Sequence, residues 1–373
     1  MLSTSNEPLP LDASVRELLR PLVAFLDLPG VTDLVVNQPG EVFVEAGARW
    51  HRHPAPELTL ERCVSLATAI ATYANQRIDA EFPLLGAHLP GLRRVQIAVP
   101  PAVEPGLVAM TIRIPDASIR TFDSYQSQGF FSRYQWQSPP ALAERRRQLD
   151  ATQQALIACL ERGALHEFLI MAVRHKLNIV FVGDTGSGKT SLMKAACRYI
   201  PADERLVTIE DVRELFLPDH PNRTHLLYGR QASGAGMVTP SELIISCLRM
   251  KPDRVLLAEL RGGEAFDFLK LLTTGHSGSL SSFHAESCAL AVDRFVLMCK
   301  EHPQAGIFDA KALRRLVSLT IDVIVHIKVE RVYARDGAPL RKERFIAEVS
   351  YDPLTKLQQR RGGAGMPDTA GSP

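Results

Sequence analysis

The chain has 373 residues, enough for two to three domains, and its 46% apolar and 23% charged residues sit in the globular range. That excludes a chain disordered throughout, a collagen-like repeat and a small disulfide scaffold. With 43 basic against 41 acidic residues, the net charge of +2 gives no general pull toward nucleic acid or acidic lipid.

In chain order, the first 115 residues predict an α+β domain. Asp12 to Leu26 reads as a helix with Asp12 as its cap. Val31–Val36 and Val42–Glu45 read as strands around the turn cluster Asn37-Gln38-Pro39-Gly40. From Leu58 to Tyr73 the apolar residues Leu60, Cys63, Val64, Ala67, Ile70 and Ala71 recur at helical spacing. Arg94–Val99 and Leu107–Ile114 predict a long hairpin across a proline-bearing loop. Residues 116–150, with Pro139-Pro140 and Arg145-Arg146-Arg147, read as a linker with some helix at its end: a solvated spacer, or a tether that lets one domain pack on a neighbouring subunit.

From 151 to 352 the pattern alternates helix and strand, which predicts an α/β domain with a mostly parallel sheet covered by helices. Helices are expected at 151–175, 188–199, 263–274, 286–301 and 309–319, and strands at 178–183, 206–210, 254–258 and 279–283. Asp322–Glu330 and Arg344–Val349 predict a late antiparallel pair around Asp336-Gly337. Residues 353–373 are expected to be disordered, most clearly from Gly362, where Gly, Pro, Ser and Ala dominate. Met1 to Leu11 lacks the apolar core of a secretory signal, and no apolar run reaches the roughly 18 residues of a spanning helix, so a cytoplasmic protein is expected. The cysteines Cys63, Cys159, Cys197, Cys247, Cys288 and Cys299 form no C-x-x-C pair and read as buried thiols, not zinc ligands.

The strongest chemical signal is Gly183-Asp184-Thr185-Gly186-Ser187-Gly188-Lys189-Thr190, which fits G-x-x-x-x-G-K-[ST] in full. Its glycines let backbone N–H groups curl around phosphate oxygens, and the helix opening at Ser191 adds its N-terminal dipole. Lys189 would reach the β- and γ-phosphates of ATP, and the Thr190 hydroxyl would bind Mg²⁺. The apolar run Asn178–Val182 just before it is a buried-strand pattern. Two further apolar runs end in acids, at Glu210-Asp211 and at Glu259. A carboxylate at the C-terminal edge of an open α/β sheet can hold Mg²⁺ through water or orient the attacking water. The small-residue stretch Thr273–Ala285 carries His276 and His284, whose neutral imidazoles can donate to a phosphate oxygen or hold a carboxylate; eight residues apart, they are poorly spaced for a metal.

Together, Gly183–Thr190, Thr208-Ile209-Glu210-Asp211, Arg249–Arg254 running into Leu256–Gly262, and Thr274-Gly275-His276 to His284-Ala285 resemble the four boxes of the secretion ATPase superfamily. The best match is the traffic ATPase of bacterial type IV secretion and conjugation systems. Thr32-Asp33-Leu34 with Asn37, Arg94–Ile97 and Thr111–Pro115 resemble that family's nucleotide-facing first domain. The resemblance implies a RecA-like ATPase domain, a cytoplasmic homo-hexameric ring held to the inner membrane through machine components, and a secreted protein or protein–DNA substrate. It implies that Arg94 and Arg113 contact phosphates, that Glu259 is the Walker B acid, Glu210 the acid of the aspartate box and His276 the histidine of the histidine box. No sequence-specific nucleic-acid binding is expected. Pilus and type II assembly ATPases often carry a four-cysteine zinc module that this chain lacks, which disfavours that branch. A nucleic-acid-dependent RecA-like motor would need aromatics interleaved with a basic stripe, and only 6% of the residues are aromatic. A scaffold that binds ATP without hydrolysing it and a small-molecule kinase are the remaining alternatives.

Overall fold

The computed structural model describes residues 10–362, apart from 48, 92, 115–119, 140–141, 229–237 and 334–338. The turn expected at Asp336-Gly337, Pro115, Pro140, residues 363–373 of the tail and most of Met1–Leu11 therefore lie outside the described residues. The chain divides into two compact units.

The first unit holds helix α1 (Ala13–Leu26), strands β1 (Val31–Val36), β2 (Gly40–Ala46) and β3 (Arg49–Ala55), helix α2 (Leu60–Tyr73), and strands β4 (Leu84–His88), β5 (Arg94–Ala98) and β6 (Ala109–Arg113). They build an antiparallel sheet in the order β3-β2-β1-β6-β5-β4. Helix α1 buries Val15, Leu19, Leu22 and Leu26, a stripe at helical spacing. It meets Leu34, Leu66, Ile70 and Ile112 in one core. Asp12 takes the position before α1 but makes no capping bond; its carboxylate accepts from Arg16 at 2.7 Å instead. Thr59, by contrast, caps α2 by accepting from the Arg62 N–H.

The second unit starts with short elements inside the expected linker: α3 (Phe122–Ser127), β7 (Gln135–Trp136) and α4 (Leu142–Arg145). Residues 120–150, as far as described, group with the second unit. Phe122, Phe131 and Leu149 are buried in the unit's core, Phe122 stacks on Tyr199 at 4.8 Å, and β7 pairs in parallel with the last strand. The apolar side chains are too few to alter the composition of a Gln- and Ser-rich stretch, yet their burial is what fixes it.

Then come α5 (Ala151–Glu161), α6 (Leu165–Arg174), β8 (Ile179–Gly183), α7 (Lys189–Cys197), β9 (Leu206–Glu210), β10 (Arg223–Leu227), α8 (Pro240–Cys247), β11 (Arg254–Leu257), α9 (Glu264–Thr273), β12 (Leu280–Phe283), α10 (Cys288–Lys300), α11 (Ala310–Thr320), β13 (Val323–Tyr333), β14 (Pro339–Tyr351) and α12 (Pro353–Gly362). The helix expected over 151–175 is two, because Gly163 turns into the left-handed region at φ +77°. The described part of the tail is helical over Pro353–Gly362, with Leu354 buried, where composition predicted disorder. Residues 331–342, as far as described, group with the first unit.

The sheet order is β10-β9-β11-β12-β8-β13-β14-β7, with parallel pairing from β10 through β13. Strand β8 is buried along its whole length and feeds two cores. Ile179 and Phe181 face the layer of α5–α7, while Val180 and Val182 face that of α8–α11. This double burial holds the C-terminal strand ends at one edge, where the candidate site lies. All six cysteines are buried free thiols.

Candidate functional site

The phosphate loop leaves the end of β8. Its first glycine is dictated by packing: Gly183 pairs with Ile327 of β13, and a Cβ there would stand 2.2 Å from the Ile327 carbonyl oxygen. Gly183 also adopts φ +149°. Gly183→Ala is therefore expected to destabilise the unit by about 3 kcal/mol, a fall of about 8 °C in melting temperature by calorimetry. An unchanged melting temperature would refute this packing account. Gly186 and Gly188 take φ +73° and +98°, and Gly188 stands before the first residue of α7. Ser187 is fully buried, while Asp184, Thr185 and Gly186 are exposed. Thr190 and Ser191 follow Lys189 in the first turn of α7, partly buried.

Lys189 is 7% exposed, and its ammonium donates to the Gly183 and Asp184 carbonyls, both at 2.9 Å. It also lies 3.4 Å from His284 Nδ1. Register explains that contact. Phe283 of β12 pairs with Val182 of β8, so the next residue, His284, is level with Gly183. Leu257 of β11 pairs with Ser281, so Glu259, two residues on, is level with Phe283. Glu259 Oε1 is 3.0 Å from His284 Nε2, and its other oxygen accepts from Arg261 Nε at 2.9 Å. Lys189, His284, Glu259 and Arg261 thus form one line of contacts.

Burial pushes the Glu259 carboxyl up, but Arg261 first, then Lys189 and His284, outweigh it and hold it below the usual range. Burial, then Lys189, push His284 down against the pull of Glu259. A neutral imidazole fits both contacts: Nδ1 accepts from the ammonium and Nε2–H donates to the carboxylate, a tautomer assigned from its partners.

Glu210 is differently employed. Fully buried, it accepts from the Thr208 hydroxyl at 2.7 Å and the backbone N–H groups of Glu214 and Leu215 at 2.7 and 2.8 Å, with His225 Nδ1 at 3.3 Å. Burial raises its carboxyl, yet these donors together hold it below the ordinary range. It ties residues 211–215 to the end of β9, and Asp211 there adds to the field on Arg261.

The structure does not bring His276 to the loop. It precedes β12 by four residues, at the N-terminal edge of the sheet, with Nδ1 at 3.2 Å from the Thr274 hydroxyl. Four residues of strand span about 13 Å, so the two histidines stand at opposite edges. The usable sequence signal is position after a strand: His284 follows β12 as Glu259 follows β11. Sequence reasoning also missed Arg261 as the Glu259 partner.

Arg94 and Arg113 lie in the first unit, opposite each other on β5 and β6. Arg113 Nε donates to Asp33 at 2.9 Å.

The family model described as "Type II/IV secretion system protein" matches residues 146–332. The type IV secretion system protein VirB11 of Brucella suis biovar 1 is 45% identical over 346 residues, 92% of either chain. The type IV secretion system protein PtlH of Bordetella pertussis is 41% identical over 338 residues, 88% of this chain and 97% of that one. Among solved structures, the VirB11 ATPase of the Brucella suis type IV secretion system, in complex with sulphate, covers 93% of this chain and 100% of its own at 45% identity and a TM-score of 0.50.

Proposed function

The chain belongs to the VirB11 family of type IV secretion ATPases, and on that premise we propose that it works as a hexameric ATPase at the cytoplasmic side of the inner membrane, energising a secretion or conjugation machine by hydrolysing ATP. The observation that carries the mechanism is the Lys189–His284–Glu259 line at the C-terminal edge of the parallel sheet, beside the glycine loop.

The loop amides and the α7 N-terminus receive the β- and γ-phosphates. Lys189 exchanges two neutral carbonyl acceptors for charged phosphate oxygens, a stronger bond. Ionised Glu259 orients water for in-line attack on the γ-phosphate. His284 links the two, so a change at the Lys189 ammonium reaches the carboxylate. The Thr190 hydroxyl and, through water, the Glu259 carboxylate are hard oxygen donors that suit Mg²⁺. When bound, that ion neutralises phosphate charge. Arg94 and Arg113, on the first unit, carry guanidinium groups whose chemistry suits phosphate. Glu210 acts as a positioning group through the 211–215 segment. No helix among the described residues is long and apolar enough to cross a membrane, which fits attachment through inner-membrane components of the machine. A protein or protein–DNA complex is the cargo.

Phosphate release from magnesium-ATP, with sedimentation velocity in the presence and absence of nucleotide, tests the reading. A monomer under both conditions would overturn the ring. His284→Ala is expected to lower kcat about 100-fold, as loss of one preorganised polar group does, whereas His276→Ala stays within about twofold. The reverse order would restore His276 to the site.

A further inference from the structure

We infer that Arg344, on β14, is a positioning residue of the nucleotide loop: its guanidinium holds the Gly186 carbonyl and so fixes the Gly186–Gly188 turn that presents backbone N–H groups at the start of α7. This rests on the nucleotide reading above.

Arg344 Nε donates to the Gly186 oxygen at 2.8 Å, across 158 positions of sequence. A Cβ on Gly188 would lie 3.8 Å from Arg344 Cδ, so the side chain runs along the turn from Gly188 to Gly186. The turn needs such help. Two of its three residues are glycines at positive φ, a conformation they leave as easily as they adopt. The described backbone bond within the loop is Ser187 N–H to the Asp184 oxygen, at 3.2 Å.

Arg344 itself stands on a rigid support. Phe345 and Ile346 are buried, the Ile346 N–H donates to Phe130 at 2.9 Å, and the Arg133 guanidinium lies 3.7 Å from the centre of the Phe345 ring. A strand anchored by its buried neighbours thus carries the exposed Arg344 side chain to a pliant loop. A loop held in its binding conformation binds more tightly, because affinity falls with the fraction of competent conformers.

The test uses the full chain and three variants. Glutamine places its amide nitrogen at the same position along the side chain as Arg344 Nε, but carries no charge. Lysine keeps the charge but places its nitrogen one atom beyond the position of Arg344 Nε. Arg344→Ala is expected to raise KM for magnesium-ATP, and Kd for a fluorescent ATP analogue, about tenfold, with a smaller change in kcat. Arg344→Gln should restore most of that affinity. Rescue by Arg344→Lys and not by Arg344→Gln would show that charge toward phosphate, not the carbonyl bond, is what matters, and would overturn the inference. So would an Arg344→Ala variant with parental KM and Kd in a preparation whose parent hydrolyses ATP and whose Lys189→Ala variant does not; the nucleotide site would then stand and only this inference would fall. A parent that neither binds nor hydrolyses ATP would remove both.

Discussion

Lys189→Ala should lower ATP turnover about a thousandfold while the protein keeps its fold, since an interaction with developing phosphate charge is worth several kcal/mol in a water-poor site. The Lys189 side chain is buried beyond the end of β8, and the Gly183 and Asp184 carbonyls and the His284 imidazole are three of its neighbours. None of the three depends on it for burial of an apolar surface. The conformation of Gly183 follows from the β8–β13 pairing, not from the ammonium. The variant should therefore melt within about 2 °C of the parent, a stability change of order 1 kcal/mol. Phosphate release and far-ultraviolet circular dichroism on one preparation separate the effects. Parental turnover in a folded Lys189→Ala protein would show that the loop does not hold the triphosphate.

Glu259→Gln should spare nucleotide binding and remove catalysis. The substitution conserves volume and keeps one acceptor for His284 or Arg261, so Kd for ATP should stay within about threefold. What disappears is the negative charge that would orient water, and kcat should fall about 100- to 1000-fold. Arg261 loses its ionic partner, which accounts for a small further loss of stability. Single-turnover measurements with saturating protein report the chemical step directly. A Glu259→Gln protein that cleaves ATP at the parental single-turnover rate would remove Glu259 from the reaction.

Several elements were legible from residues alone and others were legible but unread. Thr239, Pro240 and Glu242 spell a capping box with proline at the first helical position, and α8 forms there. The β3 stretch Arg49–Ala55 carries only one buried residue, Ala55, because it is the outer strand of its sheet, so no alternation marks it. For β10, at the sheet edge, four consecutive residues are partly exposed and Leu227 is exposed, and again no period shows.

The phosphate loop could be found without a structure because its chemistry is local: glycines at fixed spacing, a lysine and a hydroxyl, all within eight residues of a buried strand. The family could be read the same way, from short boxes in a fixed order. Which histidine meets Lys189, which group pairs with Glu259, what occupies Glu210 and what holds the Gly186 carbonyl were decided only by the fold. Each is set by register between strands far apart in sequence, and a linear string carries the period of a strand but not the identity of the residue that will lie beside it.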